Sequence, residues 1–314
     1  MYEVQNTAIH GWPNEHVPWV DTGLLIPNLS FKCRNFKNQQ TLNIFLGKIS
    51  IICIITANSI TIRHIMKKLI LIQNDFSGAG KSTVIRLLRR YLNQHHVNHQ
   101  FLVLDEEESS IENDARYLNP FQGGAKALMA SLDQADITMV EVASGAGEMW
   151  MKAYEQHEFY HLLAEMGVEV TIALPVTNDP ESFDAVTEAA EVYSDNVQYL
   201  IVHSTTSAYD EDDKGWDTSY AARVMDMFEA VELRIPAAGI EMENNFRLQH
   251  TDLASALLEV DGEERFGKEF GRWMKRSMGQ IETARQYVFG DAFRSLADNS
   301  KDPVKRTRKA KVIA

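Results

Sequence analysis

Residues 69–95 constrain the chain more than any other stretch. An uninterrupted apolar run, Leu69-Ile70-Leu71-Ile72-Gln73, leads into Asn74-Asp75-Phe76-Ser77-Gly78-Ala79-Gly80-Lys81-Ser82-Thr83, and a helical pattern begins at Lys81. Strand, small-residue loop and helix in that order are what a phosphate-binding P-loop requires. Small residues at Ser77, Gly78, Ala79 and Gly80 let backbone N–H groups converge on phosphate oxygens, and the helix start adds its positive end. Lys81 is placed to reach the outer phosphates, Ser82 offers a hydroxyl to Mg²⁺, and Thr83 closes the motif. The commonest loops carry glycine where this chain has Asp75. Asp75 is either a turn residue or a charge that repels a terminal phosphate.

Beyond the loop, apolar runs of strand length recur at Phe101–Leu104, Ile137–Val142, Val168–Leu174, Tyr199–Val202 and Val231–Ile235. Helical stretches separate them at 81–95, 122–134, 148–166, 181–193 and 217–229. Strands apolar on both faces that alternate with helices predict an α/β fold: a doubly wound, mostly parallel sheet with C-terminal helices. Gly167 reads as a helix stop and Asp179-Pro180-Glu181 as a helix start. The expected organisation is an unstructured or spurious extension over 1–65, a P-loop domain over 66–240, packed helices over 241–298 and a basic mobile tail over 299–314. Met66-Lys67-Lys68 opens directly into the first strand, which makes Met66 a candidate biological start. The competing reading of 1–65 is a poorly ordered arm or a weak membrane anchor. Its apolar stretch from Ile44 to Ile60 is broken by Lys48 and Asn58, and so falls short of a transmembrane segment.

The formal net charge of −13 is unevenly spread. Residues 66–300 carry 20 basic and 40 acidic side chains, whereas 301–314 carry six basic and one acidic. A body that acidic repels a phosphate backbone, so DNA is to be met only indirectly or through the basic tail. The two cysteines, Cys33 and Cys53, both precede residue 66. A cysteine-based zinc site in the body is thereby excluded, and a cytoplasmic setting is expected.

The segment 74–83 resembles the P-loop of the ParA/MinD group of ATPases, including plasmid-stability proteins of the StbB type. In that group the second strand ends in acidic residues, matched here by Asp105-Glu106-Glu107, and the third ends in an Asp and a short Ala-Gly turn, matched by Met139-Val140-Glu141-Val142-Ala143-Ser144-Gly145 with Glu141 in place of the Asp. The resemblance spans roughly 66–240 and implies ATP and Mg as cofactors. It also implies that Asp105 or Glu107 positions the attacking water or the metal shell, and that Glu141 holds Mg²⁺ through water. A carboxylate ending a buried strand at the ligand edge of such a sheet agrees with this, since an unpaired one there is costly. The second lysine of many such loops is replaced by Phe76, so a dimer bridged by that lysine is not implied, although a dimer and a protein partner remain compatible.

Three other readings stay open. A small-molecule kinase shares the loop pattern, but only Arg223 and Arg234 lie between 145 and 235, too few for an arginine-bearing lid. A zinc peptidase is suggested by His157-Glu158-Phe159-Tyr160-His161, which a continuous helix would turn to one face. A nucleotide-gated adaptor with little hydrolysis is the third. No Asn/Thr-Lys-x-Asp motif follows the late strands, which favours adenine over guanine. The expected function is therefore a Mg-ATP switch ATPase, serving plasmid maintenance, partition or conjugative transfer.

Overall fold

A computed structural model describes residues 29–36, 39–46, 49–56, 59–64, 66–105, 115–204, 214–259 and 262–293. Strands β1 (Leu29–Phe36), β2 (Gln39–Leu46), β3 (Ile49–Thr56) and β4 (Ser59–His64) form an antiparallel meander. This departs from the expectation of an unstructured segment over 1–65. The sequence shows no clear periodicity there because the unbroken apolar run Ile51–Ile55 masks the alternation of its flanks. Pairings such as Phe31↔Ile44, Ile44↔Ile51 and Cys53↔Ile62 align apolar positions two residues apart along neighbouring strands, the period of a sheet rather than a helix.

The second sheet holds β5 (Lys67–Ile72), β6 (His99–Leu104), β7 (Arg116–Leu118), β8 (Ile137–Val142), β9 (Val168–Val176), β10 (Gln198–Ser204) and β11 (Val231–Ile235). Its order is β11-β10-β9-β5-β8-β6-β7, and every pair is parallel. Leu69 to Ile72 are each at most 1% exposed, as a central parallel strand covered on both faces demands. The crossover from β5 runs over α1 (Lys81–Gln94) to β6 on one side, whereas the crossover from the adjacent β8 runs back past β5 to β9 on the other. The carboxyl end of β5 is therefore a topological switch point, where such sheets open a crevice for ligands.

Helices cover both faces. On one side pack α2 (Gly124–Ser131), α3 (Gly147–Gln156), α4 (Phe159–Glu165), α5 (Pro180–Tyr193), α6 (Lys214–Asp217) and α7 (Tyr220–Met227), around Leu71, Val140, Ile172 and Ile201. On the other lie α1 (Lys81–Gln94), α8 (Ile240–Leu248), α9 (Leu253–Ala256), α10 (Gly262–Phe266) and α11 (Lys268–Phe289), around Ile70, Ile72, Leu88, Trp273 and Val288. The fold is thus a doubly wound α/β sheet whose last helices pack on the α1 side. Local signals place several boundaries. Asp179 caps α5, its side chain accepting from Glu181 N at 3.0 Å with Pro180 in the first turn, and Gly167, in the left-handed region at φ +66°, ends the stretch before β9.

The helix expected over 148–166 is in fact two. Glu158 adopts φ +48° between α3 and α4, and the break lets Phe159 tuck in beside Trp150 and Tyr154. Aromatic packing overrides helix continuity here. The short strand β7 was not expected from the sequence, because three residues carry no measurable period.

Candidate functional site

The loop between β5 and α1 is built from below by Asn74. Its buried side-chain amide donates to the carbonyls of Pro175 at 2.8 Å and Ser182 at 3.0 Å, while its Oδ1 accepts from Phe76 N at 2.8 Å. The loop is thus tied to the end of β9 and to the first turn of α5. Neighbouring Gln73 accepts from Tyr193 Oη at 2.6 Å, a second tie to α5. Neither role was foreseen. The available signal was a pair of amides at the end of an apolar strand, where an unsatisfied polar group would be costly.

Above that base the backbone turns through Gly78 (φ +87°) and Gly80 (φ +96°), both in the left-handed region. Gly80 is required twice over, since a Cβ there would lie 2.7 Å from Ser204 Oγ at the end of β10. Ser77 and Gly78 form the exposed crest, Ala79 is buried, and Thr83, in the first turn of α1, is half-buried. The first N–H groups of α1 have no partners within the helix and open toward this crest.

Lys81 is only 7% exposed. Its Nζ donates to Asn74 O at 2.5 Å, to Ser144 Oγ at 2.8 Å and, more weakly, to Phe76 O at 3.5 Å. Burial lowers its pKa from the ordinary lysine value, and the negative charges of Glu141 and then Asp75 oppose that shift. Ser82 Oγ donates to Glu141 Oε1 at 2.6 Å. The pairing β5–β8 explains the contact, because Glu141 stands opposite Ile72 at the carboxyl end of the neighbouring strand. Asp75 projects toward the first residue of α3, and a Cβ on Gly147 would sit 2.4 Å from its Oδ1.

The structure therefore brings Ser77, Gly78, Ala79, Gly80, Lys81, Ser82, Thr83 and Glu141 to one point, joined by Asp75 and Ser144. Asp105 follows β6 at the same edge of the sheet, but its N–H donates to Leu118 O at 3.2 Å and β8 stands between it and β5. Glu107 and its neighbours Glu106 and Glu108 lie outside the described residues, as does the basic tail 299–314. His157, Glu158 and His161 do not form a zinc-binding helix face. His157 caps the end of α3, and His161 belongs to α4 beyond the left-handed Glu158, so the one-turn spacing the motif relies on is lost.

A hydroxyl–carboxylate pair beside a lysine under a glycine-turned loop is a fitting donor set for a divalent cation and a polyphosphate. Ser82 and Glu141 are the residues that would hold Mg²⁺, through the hard oxygen atoms it takes directly or through water. Lys81 and the first N–H groups of α1 supply positive charge.

No protein-family model and no curated protein matches the sequence. Among solved structures, FlhF complexed with GMPPNP and Mg²⁺ aligns at 13% identity with a TM-score of 0.32, over 54% of this chain and 66% of that one, just under two thirds of its length. The MinD cell division protein of Aquifex aeolicus aligns at 13% identity and TM-score 0.37, over 68% of this chain and 97% of that one. The MinC:MinD complex of the same organism gives 12% and 0.32, over 76% and 99%. At TM-scores this low these neighbours carry no functional weight beside the strand order and the loop. Among the described residues no helix is long and apolar enough to cross a membrane.

Proposed function

We propose that this chain binds Mg-ATP at the loop 75–83 and works as a switch ATPase. The observation that carries the reading is the contact of Ser82, in the first turn of α1, with Glu141 near the end of β8 at 2.6 Å, next to Lys81. Two side chains from separate parts of the sequence meet where a P-loop protein needs its metal ligands. Bound there, Mg²⁺ would supply positive charge that offsets the charge of the phosphates. Ser82 would ligate it and Glu141 would order its water shell. The glycine turns would let backbone N–H groups surround the phosphates, and Lys81 would face the outer ones.

The resemblance of the loop to the ParA/MinD group, and within it to StbB-type proteins, extends the proposal to plasmid maintenance or conjugative transfer in the cytoplasm with a protein partner. Phe76, in place of a second lysine, argues for an arrangement other than the lysine-bridged dimer. Catalytic roles are proposed for Lys81 and Glu141, with Asp105 or Glu107 as the group that orients water.

Calorimetry of Mg-ATP against the full chain and Lys81→Ala tests the site. Binding by the wild type that disappears in the variant, with an unchanged circular dichroism spectrum, is the expected result. Equal affinity in both would remove the loop from consideration. Binding without turnover would transfer the proposal to the nucleotide-gated adaptor.

A further inference from the structure

An ammonium group has three protons to donate. In Lys81 all three are engaged by the protein, through the Asn74 carbonyl, the Ser144 hydroxyl and the more distant Phe76 carbonyl. Lys81 can turn the proton at the 3.5 Å Phe76 contact toward a phosphate oxygen at little cost, but offers a second only by giving up one of its two short bonds. The Asn74 carbonyl belongs to a buried residue whose side chain is fixed to Pro175 and Ser182. Ser144 is different. It is exposed, it lies in the turn 144–146 between β8 and α3, and its neighbour Gly145 sits at φ +88°, where a Cβ would meet nothing within 4 Å. Of the two short bonds, the one to Ser144 is the one able to yield.

The turn that carries Ser144 is connected in turn to the loop by a second route. It leads at once into Gly147, the first residue of α3, which lies against the Asp75 carboxylate. Asp75 Oδ1 is buried there without a hydrogen-bond partner. The loop and the start of α3 thus meet through two contacts, Lys81 with Ser144 and Asp75 with Gly147, and the second leaves no room for a side chain.

We propose that Ser144 is a positioning residue that competes with the ligand's phosphate for Lys81, so that ligand entry frees the turn 144–146 and the start of α3. This rests on the nucleotide reading above and adds to it the element that reports occupancy. It also inverts the usual expectation for a hydroxyl at a phosphate site, whose removal would weaken binding.

The test uses the full chain as wild type, Ser144→Ala and Ser144→Thr. Because Ser144 is exposed, neither change threatens the core. Mg-ATP affinity by calorimetry should tighten in Ser144→Ala by about three- to tenfold, the scale of one competing hydrogen bond, and stay near wild type in Ser144→Thr. Without nucleotide, acylation of Lys81 by an amine-reactive reagent, read by peptide mass spectrometry, should run faster in Ser144→Ala and not in Ser144→Thr. Weaker Mg-ATP binding in Ser144→Ala, or Lys81 labelling equal to wild type, overturns the proposal. If no form binds ATP, the nucleotide reading fails by itself, and the labelling rate still decides whether Ser144 restrains Lys81.

Discussion

The carboxyl ends of β8 and β6 look alike in sequence and differ in the fold. Each is a largely apolar strand of six residues with an acid near its carboxyl end, Glu141 as the penultimate residue of β8 and Asp105 just after β6. Both reach the same edge of one parallel sheet. Strand β8 lies directly against β5, which brings Glu141 to Ser82. Strand β6 lies on the far side of β8, with Leu104 opposite Val142. Asp105 therefore stands two strand spacings, roughly 10 Å, from β5. Charge at a strand end marks a candidate, and strand order decides which candidate meets the loop.

The largest effect should come from the loop itself. Lys81→Ala removes the cation buried under the glycine turns, and Mg-ATP binding should fall below detection in calorimetry. At the end of β8, Glu141→Gln keeps the side chain's size and removes its charge. Hydrolysis should fall by roughly 10²-fold, on the scale of losing one preorganised polar group. A steady-state phosphate-release assay at wild-type rate would show that Glu141 merely ends a strand. Asn74→Ala strips the loop of its buried ties and should destabilise the protein by about 2–3 kcal/mol in urea unfolding, since buried partners are left unsatisfied. An unchanged midpoint would mean that the loop is held by something other than Asn74. Asp105→Asn should leave metal-dependent binding within about threefold of wild type, given the screening expected at that separation. The smallest effect is expected at the broken helix, where His157→Ala should change neither bound zinc nor nucleotide affinity. Stoichiometric zinc lost in that variant would restore the peptidase reading.

How much of this was legible in the sequence depends on the range of each signal. The β5 strand, the glycine loop and α1 are contiguous, so their order and chemistry could be read directly, and so could the alternation that predicts a parallel sheet. Glu141 was legible as a candidate because an acid interrupts an otherwise apolar run. Its contact with Ser82, 59 residues away along the chain, depends on β8 and not β6 lying beside β5, a long-range pairing with no local mark. The break at Glu158 was hidden because it serves the packing of Phe159 on Trp150 and Tyr154, a tertiary cause. The meander of β1–β4 was missed for a different reason. The alternation of Leu42, Ile44 and Leu46 or of Ile60 and Ile62 is masked by the unbroken apolar run Ile51–Ile55 between them. Asn74 was marked only as one of two amides ending an apolar strand and Ser144 only as part of a small-residue turn, and only the folded loop shows what they hold.

The contrast between the two strand ends can be settled by one measurement. ATP affinity is titrated by calorimetry over a series of Mg²⁺ concentrations for wild type, Glu141→Gln and Asp105→Asn. Glu141→Gln should lose most of the gain in affinity that Mg²⁺ gives the wild type, while Asp105→Asn retains it. Loss of the Mg²⁺ effect in Asp105→Asn, with Glu141→Gln behaving as wild type, would contradict the assignment of the metal to Ser82 and Glu141.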